Sequence, residues 1–184
     1  MISLLMLIAQ LPPADLEQRL DSPVPIDVSL VREDGSPTTL GAEMRGHATV
    51  LALVYFECPM LCTLVMNGIV GALRAVTLEP GRDFEVVAVS IDPRETPELA
   101  RKAKSSLLHR YARANTEGGW HLLTGEKPEI DRIARAIGFS YQWDERTQQF
   151  SHAAGFVVLT PEGRTARYFY GICLLYTSPS PRDS

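Results

Sequence analysis

The sequence predicts an α/β fold in which helices flank a central mixed β-sheet that follows an N-terminal β-hairpin. Two apolar runs, at 49–56 and 84–91, are short and rich in valine, as strands buried on both faces are. Apolar residues recur at helical spacing between these runs, over 61–77, and after them, over 96–111. This alternation is the pattern of parallel βαβ units, and strands that pair as hairpins elsewhere in the chain make the sheet mixed.

The N-terminal hairpin is predicted from an alternating pattern. Residues 26–31 alternate apolar and polar side chains, which is the period of a half-exposed strand. Residues 33–36 form a turn, and residues 38–40 return as the partner strand. Residues 41–47 are predicted to be a connector that leads into the first buried strand.

Stop and cap signals bound the two helices of the βαβ units. The first helix is expected to run to about Thr77, where Glu79, Pro80 and Gly81 end it. Thr96 is predicted to be the N-cap of the second helix, with a proline directly after it at the first helical position.

The second half of the chain is predicted to be richer in strands. Residues 120–123 form a short strand, and the helix after it is expected to be capped by Thr124 and closed by Gly138. Four further strands are predicted to pair as two hairpins, 139–143 with 148–150 and 154–160 with 164–170.

Length and composition suit one globular domain. The chain has 184 residues, of which 45% are hydrophobic and 22% charged, enough to bury a sizeable core. The net charge is −4, and no run of basic residues occurs. These features exclude nucleic acid as an expected partner.

The N-terminus, residues 1–11, is apolar and uncharged. It is shorter than the roughly 20 residues that span a bilayer, and it resembles the apolar core of an export signal, with Ala9 as a small residue before cleavage. Residues 1–23 are therefore predicted to be a signal or anchor remnant and a linker, and export is expected.

Two cysteines stand where the first buried strand gives way to a helix. Cys58 follows the strand, and Cys62 lies four positions later, so that both side chains fall on one helix face, about 5–6 Å apart at Cβ. A helix N-terminus stabilises thiolates. A cysteine at the end of the first core strand favours a thioredoxin-like fold. The pair can bind a soft ion such as Cu(I), form a disulfide, or pack as two small hydrophobic residues.

A metal ion held by this pair needs a third ligand. The candidates are the four histidines, Met60 or a carboxylate. His152 is the one that the pattern nominates, because residues 151–155 are predicted to be a loop whose small residues leave its imidazole room to reach another loop. The other three histidines are His47 in the polar connector, His109 near the end of a helix, and His121 in a short strand, where a structural role is expected.

Four elements together resemble one family. The segment Cys58-Pro59-Met60-Leu61-Cys62 resembles the Cys-x-x-x-Cys motif of the Sco/SenC copper proteins. The segment 89–97, Val-Ser-Ile-Asp-Pro-Arg-Glu-Thr-Pro, is similar to a second motif of that family. Residues 122–125 resemble the strand and turn before its third helix, and His152 matches its metal-binding histidine. The resemblance covers about residues 24–172.

The resemblance implies a thioredoxin-like domain over 24–172 that binds copper, Cu(I) or Cu(II), through Cys58, Cys62 and His152. Cys58 and Cys62 would also be a redox pair, and Asp92 matches a family position near the site. The implied role is assembly of the dinuclear copper centre of cytochrome c oxidase subunit II, as a copper chaperone or thiol reductant rather than an enzyme. A copper donor protein and a thioredoxin-like reductant are implied further partners. The implied location is the bacterial periplasm, with membrane association through a native N-terminus.

Two other functions compete with this one. A thiol–disulfide oxidoreductase or peroxidase-like enzyme would use Cys58 or Cys62 without metal, and a binding domain would leave both cysteines inert. His152 discriminates between the copper chaperone and the thiol–disulfide enzyme, because copper binding needs it and dithiol exchange does not.

The chain departs from the family pattern at both ends and at one motif position. Glu95 replaces a commoner Asp, and a short apolar start stands in place of the usual membrane anchor. Residues 173–184 have no helical period where family members form a last helix. This tail is predicted to be disordered and non-native, which sets Cys173 aside from any site.

Overall fold

The computed structural model describes residues 14–57 and 61–171, with only the backbone described for 61–64. The expectations for the apolar start, for Cys58 and for the tail at 173–184 fall outside the described residues and stay predictions.

The central sheet has five strands, with β3 in the middle. The order across it is β5-β4-β3-β8-β9, and two separate pairs, β1-β2 and β6-β7, form small antiparallel sheets. The elements of the described residues are, in chain order, β1 Ser29–Val31, β2 Pro37–Thr39, α1 Leu40–Met44, β3 Thr49–Val54, α2 Leu61–Arg74, β4 Glu85–Ser90, α3 Pro97–Tyr111, β5 Trp120–Leu123, α4 Lys127–Ala136, β6 Tyr141–Asp144, β7 Gln149–His152, β8 Gly155–Leu159 and β9 Thr165–Tyr170.

The sheet is mixed, as the sequence predicts. Strand β4 pairs in parallel with both β3 and β5, whereas β8 is antiparallel to β3 and to β9. Every side chain of β3 and β4 is buried, which explains why both strands are apolar runs without alternation. The carboxyl ends of β3, β4 and β5 therefore meet at one edge of the sheet.

Helices α2 and α3 lie on one face of the sheet. The steps from β3 to β4 and from β4 to β5 run in the same direction, so right-handed crossovers put both helices on the same side. The two helices contact each other, and α3 also packs on β5. Thr96 caps α3, with Pro97 as its first residue, which confirms the predicted helix start.

Two local predictions are wrong. The predicted connector at 41–47 contains all but the first residue of the short helix α1, which Thr39 caps by accepting a hydrogen bond from the Ala42 amide at 3.2 Å. Leu40 and Met44 bury its inner face, one turn apart. Thr124 does not cap α4, because its backbone pairs with Val31 of the first hairpin.

The remaining boundaries agree with the sequence to within a few residues. Helix α2 ends at Arg74, three residues before the predicted stop, and Gly138 follows α4 with φ +70°. Residues 14–25 lie against the domain and bury Leu16 and Val24. No helix in the described ranges is long and apolar enough to span a membrane.

Candidate functional site

The candidate site lies where the parallel strands end. Tyr55 to Glu57 follow β3 at this edge, and residues 91–96 follow β4. Strand β8 runs antiparallel to β3, so its first residue, Gly155, lies at the same edge, with His152 just before it. Ligands of open α/β sheets bind at the carboxyl ends of the strands.

Only part of the cysteine pair falls within the described residues. Cys62 is the second residue of α2 and so lies within the helix that the sequence predicts after Cys58. Cys58 lies outside the described residues, and nothing is described of the Cys62 side chain. Among the described side chains, no three histidine, cysteine or acidic groups converge as metal ligands.

His152 is the last residue of β7, and the prediction that it sits in a loop is wrong. Its side chain is buried, with a relative exposure of 8% for the residue. Nδ1 lies 2.8 Å from the carbonyl oxygen of Ala153, which only accepts hydrogen bonds. Nδ1 is therefore the protonated nitrogen, and Nε2 carries the lone pair that a metal ligand needs.

Burial also favours the neutral form of this imidazole. Loss of solvent lowers the pKa of His152 below its usual range, and the hydrogen bond to the Ala153 carbonyl only partly opposes this. A neutral imidazole is the form that coordinates metal ions.

Aromatic rings surround His152. The Tyr55 ring meets it edge-on at 5.8 Å between centroids, and the Phe139 ring stacks on it at 6.0 Å. Phe150, two residues before His152 in β7, contacts Tyr55 at 5.7 Å. The rings hold the imidazole in one orientation and limit its contact with water.

Asp92 is mostly buried at the same edge, and it pairs with Arg94. The Arg94 Nε and Nη2 donate to Oδ1 and Oδ2 of Asp92, each at 2.8 Å. Burial acts to raise the pKa of Asp92, but the hydrogen bonds and charge of Arg94 outweigh it and leave the pKa below its usual value. Asp92 thus stays ionised and orients Arg94.

Glu95 holds the chain that leads to Cys58. Its two carboxylate oxygens accept hydrogen bonds from the backbone amides of Phe56 and Glu57, each at 2.8 Å. Ser90 Oγ donates a third hydrogen bond to the same carboxylate at 2.6 Å. The residue is 8% exposed. Burial raises the pKa of Glu95, although these three hydrogen bonds act against the rise.

The other histidines lie away from this edge. His47 and His121 both contact Glu85 at the start of β4, at 3.0 and 2.9 Å, which is the opposite edge of the sheet. This confirms the structural role expected for His121. His109 is exposed on α3. Of the four histidines, His152 is the one at the carboxyl edge.

Several residues of this region were not predicted from the sequence. Glu95 stood out there only as a departure from a family pattern. The aromatic alternation of β6 and β7 was a usable signal, because side chains two apart in a strand share a face. The residues missed are Tyr55, Arg94, Phe139, Trp143 and Phe150.

Solved structures share this fold. A protein from Aquifex aeolicus VF5 superposes with a TM-score of 0.71 at 25% identity, covering 84% of this chain and 86% of that one. An SCO1/SenC family lipoprotein from Bacillus anthracis str. Ames superposes with a TM-score of 0.68 at 19% identity, covering 90% of this chain and 92% of that one. ScoI of Arabidopsis thaliana, solved with copper bound, superposes with a TM-score of 0.61 at 22% identity, covering 83% of this chain and 88% of that one.

The thioredoxin-like fold is thereby confirmed. A search of curated protein sequences finds no significant match. The family model described as SCO1/SenC matches residues 17–172, which include both cysteines and His152. The chain belongs to the SCO1/SenC family.

Proposed function

We propose that this protein binds copper through the thiolates of Cys58 and Cys62 and through Nε2 of His152. In this proposal it is a copper chaperone that helps to assemble the dinuclear copper centre of cytochrome c oxidase. The observation that carries the proposal is the hydrogen bond from His152 Nδ1 to the Ala153 carbonyl, which leaves Nε2 as the ligating nitrogen at the edge where β3 ends.

The donor set suits copper. Two thiolates are soft ligands that favour Cu(I), and a neutral imidazole extends the set to Cu(II). Both thiols lose their protons on binding, and the start of α2 favours the thiolate form of Cys62. The relative from Arabidopsis thaliana, solved with copper bound, supports copper as the ion.

The proposed partners follow from the family. Subunit II of the oxidase, or another copper acceptor, would receive the ion, a donor protein would supply it, and a thioredoxin-like protein would reduce the cysteines. The proposed location is the bacterial periplasm, with membrane association through a native N-terminus. The lipoprotein relative from Bacillus anthracis and the apolar segment 1–11 support export.

A second candidate is thiol–disulfide exchange without metal. One structural relative, BsSco, is described by its disulfide switch, and two cysteines four apart at a helix start allow such a bond after a small adjustment. In that function, His152 would be dispensable.

The test is a copper titration of the reduced protein. We expect wild type to bind one copper ion, and Cys58→Ser, Cys62→Ser and His152→Ala each to weaken Cu(II) binding at least about 100-fold, since each removes a ligand. His109→Ala is the matched control, because this exposed histidine lies on α3.

Wild-type protein without copper affinity, or full Cu(II) affinity in His152→Ala, would contradict the proposal. Reduction of a disulfide substrate by metal-free wild type and His152→Ala at equal rates would support the second candidate instead.

A further inference from the structure

The turn after β4 contacts two parts of the chain that lead to proposed ligands. Residues 92–95 follow the end of β4, and two neighbouring side chains of this turn point to different elements. Glu95 bonds to the chain before Cys58, and Arg94 lies against the hairpin that ends at His152.

The Glu95 contact fixes two consecutive peptide units. One carboxylate receives both the Phe56 and the Glu57 amides, and Ser90 Oγ holds the same carboxylate from β4. A buried carboxylate with three donors keeps one orientation, because turning it would leave those donors unsatisfied. The chain therefore leaves β3 towards Cys58 in a direction set by Glu95.

The Arg94 contact fixes the hairpin. Its guanidinium carbon lies 4.4 Å from the centre of the Trp143 ring and 6.0 Å from that of Phe150. Trp143 and Phe150 are directly opposite each other in β6 and β7. The Asp92 carboxylate accepts two hydrogen bonds from the guanidinium, and these fix the position of the cation against the two rings.

The Arg94 contact reaches the imidazole through two edge-on ring contacts. Phe150 contacts Tyr55, and Tyr55 contacts His152 edge-on. Movement of the hairpin relative to the 92–95 turn would therefore move the His152 ring relative to the end of β3.

We propose that Arg94 and Glu95 are positioning residues that together set the distance between residues 56–57, which lead to Cys58, and His152. This inference rests on the proposed function, since it concerns how the three ligands meet. A site with ligands on separate elements works only when these are held to within about 0.5 Å, and one turn that bonds to both elements supplies that constraint.

The first test uses the metal-free protein and compares matched variants. Glu95→Gln turns one acceptor oxygen into a donor, and Arg94→Lys removes the planar face that stacks on Trp143. Glu98→Gln and Arg101→Lys are the controls, because these residues form an exposed pair with each other on α3.

We expect Glu95→Gln to speed amide exchange at Phe56 and Glu57, and both Glu95→Gln and Arg94→Lys to shift the ring resonances of His152. The two controls should change neither observable. His152 resonances identical in all four variants would overturn the inference, whether or not the protein binds copper. Glu95→Asp, which keeps the charge but shortens the reach, replaces Glu95→Gln if circular dichroism shows that the latter is unfolded.

The second test is a mutant cycle in copper affinity. We expect Glu95→Gln to weaken Cu(II) binding about tenfold and Arg94→Lys about threefold, the smaller effect reflecting its exposed stacking contact. In a His152→Ala background both losses should vanish, because there is no third ligand left to position. Equal losses in both backgrounds would mean a general structural role and overturn the inference. A wild-type protein that binds no copper would instead refute the proposed function, and the metal-free measurement would still decide the inference.

Discussion

At the scale of residues, the chemistry of His152, the last residue of strand β7, depends on the atoms that surround its imidazole. The tautomer depends on the Ala153 carbonyl, and the enclosure depends on Tyr55 and Phe139, which are distant in the chain. The two ring contacts arise from tertiary packing, which local spacing does not record, whereas the Ala153 carbonyl belongs to the next residue in the chain.

Glu43 is a second residue whose chemistry depends on distant contacts. Its carboxylate is nearly fully buried on α1, where His121 Nδ1 lies 2.7 Å from it and Arg32 Nε donates to it at 2.7 Å, and Thr38 donates a further hydrogen bond. Burial acts to raise the pKa of Glu43, but these partners outweigh it and lower the pKa to about 2.

We expect this group to contribute to acid sensitivity. A carboxyl with a folded pKa near 2 and an unfolded pKa near 4.5 stabilises the protein fully above pH 4.5. That contribution, at most about 3 kcal/mol, is lost as the pH falls from 4.5 towards 2. Urea unfolding of wild type at several pH values should therefore show a falling free energy of unfolding across this window.

Glu43→Gln tests the assignment. The variant should be less stable at pH 7 and should show a flatter pH dependence between 4.5 and 2, because the titrating carboxyl is gone. Glu145→Gln, in the exposed turn between β6 and β7, is the control and should keep the wild-type slope. An unchanged slope in Glu43→Gln would contradict the role given to this carboxylate.

At the scale of elements, strand patterns predicted more than loop composition did. The apolar runs of β3 and β4 and the cap of α3 were predicted closely, because burial on two faces and capping are local signals. Helix α1 was missed because five residues are too few for a visible period. Its stability comes from Leu40 and Met44 in the core, which is a tertiary effect.

Two glycines allow a test of helix geometry by the same substitution. Gly71 lies in α2 on an exposed position, with open space where a Cβ would be. We expect Gly71→Ala to stabilise the protein by about 0.5–1 kcal/mol, because alanine loses less backbone entropy on folding. Chemical denaturation measures the change, and a loss of stability would contradict the helical assignment at this position.

Gly138 should respond in the opposite direction. It has φ +70°, and an added Cβ would overlap the carbonyl oxygen of Glu17. Gly138→Ala should therefore destabilise the protein by about 1–3 kcal/mol in the same denaturation assay. Equal stability of Gly138→Ala and wild type would contradict the close contact between Gly138, just after α4, and the Glu17 carbonyl.

At the scale of the whole molecule, the fold class followed from the order of elements, and the site followed from family motifs. Parallel strands bring the ends of β3 and β4 to one edge, so residues 55–57 and the 92–95 turn lie side by side there. The antiparallel return of β8, which brings His152 to that edge, is a matter of strand order. No local pattern encodes strand order, and the motif resemblance was needed to select His152.

X-ray absorption spectroscopy of the copper-loaded protein tests the central claim most directly, because it counts the sulfur and nitrogen ligands of the ion. We expect two sulfur ligands and one imidazole nitrogen in wild type, loss of the imidazole signal in His152→Ala, and an unchanged spectrum in His109→Ala. A wild-type spectrum without imidazole, or one with fewer than two sulfur ligands, would contradict the assignment of Cys58, Cys62 and His152 as the copper site.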